Sequence, residues 1–250
     1  MSEAAVWAAA LGVLGAIVGS FLATVAVRWP AGRSVVSGRS SCDRCGVALG
    51  TRDLVPLASW AAARGRCRAC GGAIDPRHAT VEAGCAAIGI AAALAAPGAE
   101  GVAGAMFGWL LLTLAVLDAT DFWLPDELVA GLAVSGVGSA IWFPPAAIDR
   151  LIGGVAGFAV LWLIAAGYRR LRGRDGLGGG DPKLFGAIGL WLGWRMLPGV
   201  LLVAGLVGLG WVAFQRLRGR AIAADDALPL GTLLAVAAYP AWLLMVALRT

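Results

Sequence analysis

Eight apolar stretches, at about 4–27, 79–96, 101–117, 128–143, 148–168, 184–197, 198–214 and 228–248, leave this chain of 250 residues little choice of fold. A helical crossing of a bilayer takes roughly 17–25 apolar residues, and in lipid every backbone polar group must be satisfied within the segment. The pattern therefore predicts an all-α polytopic membrane protein with about eight transmembrane helices. The stretch at 128–143 is slightly short, and the one at 184–197 also reads as a re-entrant segment. Composition agrees, since 60% hydrophobic residues, 37 glycines and only 14% charged residues do not describe a soluble globule.

A net charge of +5 raises the question of a nucleic-acid partner, and the placement of the charge answers it. Nine arginines fall between Arg28 and Arg77, four between Arg169 and Arg174, and three at Arg216, Arg218 and Arg220. Clusters confined to the loops between apolar runs follow the positive-inside bias of membrane proteins. Eight crossings would gather 17 of the 20 basic residues, Lys183 included, on the cytoplasmic face, with both termini outside the cytoplasm. Arg150, Arg195 and Arg249 would remain on the other face. The first stretch has Glu3 and no basic residue in its flank, and it exceeds the 7–15 apolar residues of a signal-peptide core. It reads as an N-out helix.

Residues 28–77 form the one long polar segment, a small cytoplasmic loop domain. It carries Cys42-x-x-Cys45 and Cys67-x-x-Cys70 with 21 residues between the pairs. Four thiolates at such spacing close a tetrahedral shell around structural zinc. Disulfides are the alternative, and a reducing cytosol disfavours them. Cys85, inside the second stretch, reads as a small packing residue.

Chemistry falls to carboxylates, for the chain has one histidine, His78, and no Ser-His or Cys-His arrangement. Asp118 opens a segment ending Pro125-Asp126, and Asp181 closes Gly178-Gly-Gly180-Asp181-Pro-Lys183. Both lie at predicted cytoplasmic helix ends, where two acids sharing a proton can activate water and polarise a carbonyl. Structural roles compete: Asp181 before Pro182 and Asp126 after Pro125 both suit helix starts. Asp225 and Asp226 read as solvated loop charges. Gly178 and Gly180 would let the backbone take positive φ near an extended peptide, and Lys183 would hold a neighbouring carboxylate ionised. Asp121 lies nearly on the face of Asp118, so either could be the first acid. Glu82, near the cytoplasmic end of the second stretch, reads either as a partner of Arg77 or as a group that meets a ligand. Trp142, Trp191 and Trp194 fit interfacial anchoring.

In sequence order, several motifs resemble those of bacterial prepilin peptidases, membrane aspartyl proteases of the GxGD type. They are Gly19-Ser-Phe-Leu22 with Arg28-Trp-Pro30, the tetracysteine loop with Pro56-Leu-Ala-Ser-Trp60 and Arg64-Gly-Arg-Cys-Arg68, and Arg77-His78 with Val81-Glu82. Asp118 with Pro125-Asp126, Gly178-x-Gly180-Asp181-x-Lys183 and Leu228-Pro-Leu-Gly231 follow. The chain departs from the family's pattern at Ala23, where an Asn is usual, and at Pro182.

The resemblance implies cleavage of the leader of prepilins or pseudopilins at the cytoplasmic face of the bacterial inner membrane, with Asp118 and Asp181 in interchangeable acid and base roles. It also implies N-methylation of the new amino terminus with S-adenosylmethionine as donor, associated with the tetracysteine domain. Glu82 is the candidate there for contact with substrate or donor. The implied domains are a first helix at 1–27, the cysteine domain at 28–77 and the peptidase domain at 78–250. A zinc-stabilised scaffold without catalysis is the rival reading. A proton-coupled transporter is disfavoured by the lack of acids at mid-span.

Overall fold

The computed structural model describes residues 2–36, 38–220 and 227–249; Asp225 and Asp226 lie outside the described residues. It is helical almost throughout, and among the described residues only two isolated β-bridges occur, Ser41 with Ala48 and Arg66 with Ala73. The helices are α1 (Glu3–Arg28), α2 (Ala58–Ala62), α3 (Pro76–Ala95), α4 (Ala99–Asp121), α5 (Asp126–Ser139), α6 (Ala147–Arg172), α7 (Asp181–Leu192), α8 (Leu197–Leu217) and α9 (Leu230–Ala247).

A helix occupies each of the eight apolar stretches, but only six are long and apolar enough to cross a membrane: α1, α3, α4, α6, α8 and α9. With 14 and 12 residues, α5 and α7 rise about 21 and 18 Å against a hydrocarbon core of about 30 Å. Local chemistry sets these ends. Pro144 and Pro145, which lack backbone N–H donors, follow α5, and α7 stops at Gly193, whose φ of +72° is costly for any side chain. The expected stretch at 184–197 is thus shifted, because Asp181 and Pro182 occupy the first turn and the helix begins there.

Two compact units divide the chain, Met1–Thr113 and Leu114–Thr250, with α4 contributing to both. In the first, α1 lies along α3 with backbones in close approach. A Cβ on Gly15 would stand 2.3 Å from the carbonyl oxygen of Cys85, and one on Gly89 would stand 2.2 Å from that of Leu11. In lipid, where apolar surface gains little by leaving its solvent, small residues at such a seam supply the van der Waals contact that holds helices together. Cys85 is fully buried in this seam, as its packing role required, and its carbonyl accepts a hydrogen bond from Trp109 Nε1 at 2.8 Å.

The second unit is organised around α7, which is buried along most of its length against α5, α6 and α9. Gly189 meets Gly153 so closely that a Cβ would lie 2.2 Å from the Gly153 carbonyl oxygen. Trp191, expected at an interface, is instead a core residue, 2% exposed, and its indole N–H donates to the Leu132 carbonyl at 2.8 Å. Trp142 and Trp194 are exposed, and Trp194 donates to Asp149. Arg150, expected in an outer loop, is buried. Its guanidinium donates to the carbonyls of Gly136, Phe143, Pro144, Pro145 and Leu190 and to Ser139 Oγ. It thereby satisfies the open C-terminal end of α5.

Candidate active site

Asp118 stands in the last turn of α4 and Asp181 in the first turn of α7, and both are about 5% exposed. Each carboxyl is anchored through Oδ2. That of Asp118 accepts the backbone N–H of Thr232 at 2.7 Å and faces the Thr232 hydroxyl at 3.1 Å. That of Asp181 accepts the N–H of Gly178 at 3.0 Å. Leu124 Cδ1 would stand 3.0 Å from a Cβ on Gly231, next to Thr232, and 3.1 Å from one on Gly180, next to Asp181, so the two anchoring segments share one neighbour. Three separate segments of the second unit therefore meet at one acidic pair: the end of α4, the turn before α7 and the start of α9.

The glycine-rich turn works differently from expectation. Gly178, Gly179 and Gly180 all have negative φ. What two of them supply is room: a Cβ on Gly180 would lie 2.8 Å from Leu124 Cβ, and one on Gly178 would lie 3.1 Å from Asp181 Oδ2. Lys183 is a correction too. Its Nζ pairs with Asp126 at 2.7 and 3.0 Å, both side chains being largely exposed. Asp126 is accordingly a first-turn acid of α5 and not its cap, which is Pro125, and Asp181 follows the cap residue Gly180. Asp121 is exposed and takes the Thr120 hydroxyl. Thr232 escaped the sequence reading, since a threonine one residue past Leu228-Pro-Leu-Gly231 carries no signal of its own. Its hydroxyl also lies 2.9 Å from the Ala115 carbonyl.

In the first unit the two cysteine pairs form matched knuckles. The N–H of Cys42 bonds to Val47 O and that of Cys67 to Gly72 O, while Gly46 and Gly71 turn each loop at φ of +72° and +68°. The sulfurs of Cys42, Cys45, Cys67 and Cys70 all lie within 4.8 Å of one another. Tetrahedral zinc, with Zn–S of about 2.3 Å, needs sulfurs roughly 3.8 Å apart, so the set fits a metal such as zinc. The N–H groups of Cys45 and Arg44 point at the Cys42 sulfur and lower its pKa to about 7, favouring the ligating thiolate. Arg28 ties the end of α1 to the first knuckle through Asp43 at 3.1 Å and Ser41 O at 2.8 Å.

Beside the knuckles lies a cavity of about 900 Å³, walled in part by Thr24, Arg28, Trp60, Arg77 and Glu82. Glu82 does not depend on Arg77 for a partner. Its Oε2 accepts the N–H of Leu57 at 2.7 Å, while Arg77 pairs with Asp75 at 2.9 Å and donates to Ala26 O. His78 faces Asp43 at 3.7 Å, in line with a structural role. Trp60 Nε1 is buried without a hydrogen-bond partner among the described residues.

This arrangement of helices, acid pair and thiolate knuckles has recognisable kin. Residues 105–213 match the type IV leader peptidase family, and residues 13–96 match the bacterial peptidase A24 N-terminal domain. The chain belongs to the type IV leader peptidase family. It is 37% identical over 253 residues to a prepilin leader peptidase/N-methyltransferase of Burkholderia pseudomallei (strain 1026b), covering 89% of this chain and 81% of that protein. To a protein of the same name from Dickeya chrysanthemi it is 37% identical over 231 residues, covering 82% and 81%. To one from Klebsiella pneumoniae it is 36% identical over 208 residues, covering 79% and 90%. No solved structure matches the chain.

Proposed function

We propose that the protein is a bifunctional prepilin peptidase and N-methyltransferase of the bacterial inner membrane, working at the cytoplasmic face on prepilins or pseudopilins. The observation that carries the peptidase reading is the burial of Asp118 and Asp181, each about 5% exposed, where the end of α4, the turn before α7 and the start of α9 meet. Cleavage is general acid–base hydrolysis. One aspartate takes a proton from water, the other donates to the scissile carbonyl and then to the departing amine, and the pair titrates as a unit. Oδ2 anchoring fixes both side chains, so the water meets a positioned pair without side-chain reorganisation. The nine arginines between Arg28 and Arg77 support the orientation proposed for the cysteine domain, because such clusters favour the cytoplasmic side.

For methyl transfer, S-adenosylmethionine supplies an electrophilic methyl group on sulfur. The cavity fits such a molecule in size, and Trp60 is among the residues that wall it. Zinc held by the four cysteines would join the two knuckles that wall the cavity. The peptidase reading is tested by co-expressing a prepilin-type substrate with Asp118→Asn or Asp181→Asn. Each variant is expected to lower leader processing at least about 100-fold. Unchanged processing in both would leave the scaffold reading standing.

A further inference from the structure

Four acidic side chains line the cavity of the first unit: Asp43, Asp53, Asp75 and Glu82. Three are spoken for. Asp43 pairs with Arg28 and Arg33, Asp53 with Arg68, and Asp75 with Arg77. Glu82 is the most deeply buried of the four, 6% exposed, and no basic side chain pairs with it among the described residues. Only Oε2 is engaged, by the Leu57 N–H, and Oε1 has no hydrogen bond among the described residues. A carboxyl in this position, a few residues inside a helix that is apolar enough to span lipid, is costly without a cation.

The donor to Oε2 is itself unusual. Ala58 N–H closes on Pro56 O at 2.6 Å around Leu57, whose φ and ψ are +60° and −48°. This is the rare, strained form of the γ-turn, on a residue whose side chain disfavours positive φ. The strain is spent on aiming one N–H at Glu82. It fixes through one oxygen the carboxyl of a residue that lines the cavity.

We propose that Oε1 of Glu82 is the acceptor for a substrate's free N-terminal amine and the base for its methylation. This rests on the methyltransferase reading above. Glu82 first binds the ammonium form, a charge partner that none of the cavity's arginines provides to it among the described residues. It then takes one N–H proton, which frees the nitrogen lone pair to attack the sulfonium methyl of the donor. The new N–C bond forms as the S–C bond breaks, and the bonding pair stays on sulfur as a neutral thioether. The proton remains on Glu82 until water removes it. A leader-bearing substrate, whose corresponding nitrogen is an amide, cannot use the site, so methylation follows cleavage.

The test uses the full-length protein in detergent, with zinc present, and a short peptide beginning with Phe in free-amine and N-acetylated forms. Calorimetry on the wild type is expected to favour the free amine at least tenfold. Glu82→Gln keeps an acceptor for Leu57 N–H; it is expected to lose that preference and to methylate at least about 100-fold more slowly. Its melting temperature and its affinity for S-adenosylhomocysteine are expected to stay at wild-type values. A wild type that ignores acetylation, or a Gln variant that methylates within fivefold of wild type, overturns the proposal. So does a Gln variant that loses S-adenosylhomocysteine binding, for then Glu82 holds the donor. If the wild type adds no methyl group to any cleaved substrate, the methyltransferase reading itself fails.

Discussion

Gly231 has no room for a side chain, since a Cβ there would stand 3.0 Å from Oδ2 of Asp118. Gly231→Ala is therefore expected to displace the carboxyl by a few tenths of an ångström and slow leader cleavage about tenfold, read as the processed fraction against time. Thr232→Val, which keeps the backbone donor and removes the hydroxyl, tests the other support. It should slow cleavage while Thr232→Ser does not. Acid sensitivity has a separate source outside the membrane. Asp75 caps α3, and the Arg77 guanidinium hydrogen-bonded to it holds its carboxyl below the usual range. A folded-state pKa below the unfolded one gives stability that is present above the unfolded value, about 3.9, and is lost as pH falls through the folded value. Asp75→Asn keeps a capping oxygen and should flatten the melting temperature's dependence on pH between about 5 and 2.

Seams between helices decide the behaviour of whole elements. Valine at Gly189 would drive its side chain into the backbone of Gly153, with an expected cost of about 1–3 kcal/mol, whereas alanine at Gly199, which faces open space, should be neutral. Melting curves of the two variants in detergent check this. Arg150→Leu should cost more, about 3 kcal/mol, because it removes six hydrogen bonds to Gly136 and Ser139 of α5, to the loop that follows it and to Leu190. Helix positions were largely legible in the apolar stretches, because period and length report burial in lipid. Where α5 and α7 stop was not, because an apolar count runs on to residue 143 past the end of α5 at Ser139 and passes over the break at Gly193. Asp118 and Asp181 stood out as acids at helix ends, but their partners did not. Thr232 N–H is a backbone group, invisible to residue type, and Lys183 chose Asp126 by three-dimensional proximity alone. Trp191 looked interfacial only because it lies near the end of its helix.

Across the whole molecule, the four cysteines and the acid pair belong to different compact units. Cys67→Ser is expected to abolish bound zinc, measured by elemental analysis, and to impair methylation far more than leader cleavage. Prolonged chelation of the wild type should do the same. This division also shapes the time course. Cleavage and methylation are assigned to different side chains and the amine exists only after cleavage, so two products with different kinetics are expected: a trimmed, unmethylated chain that rises first, and its heavier descendant after a lag. Dilution or competing substrate would then lengthen the lag, and an enzyme that released its first product between steps would betray itself by mixed termini in the finished fibre.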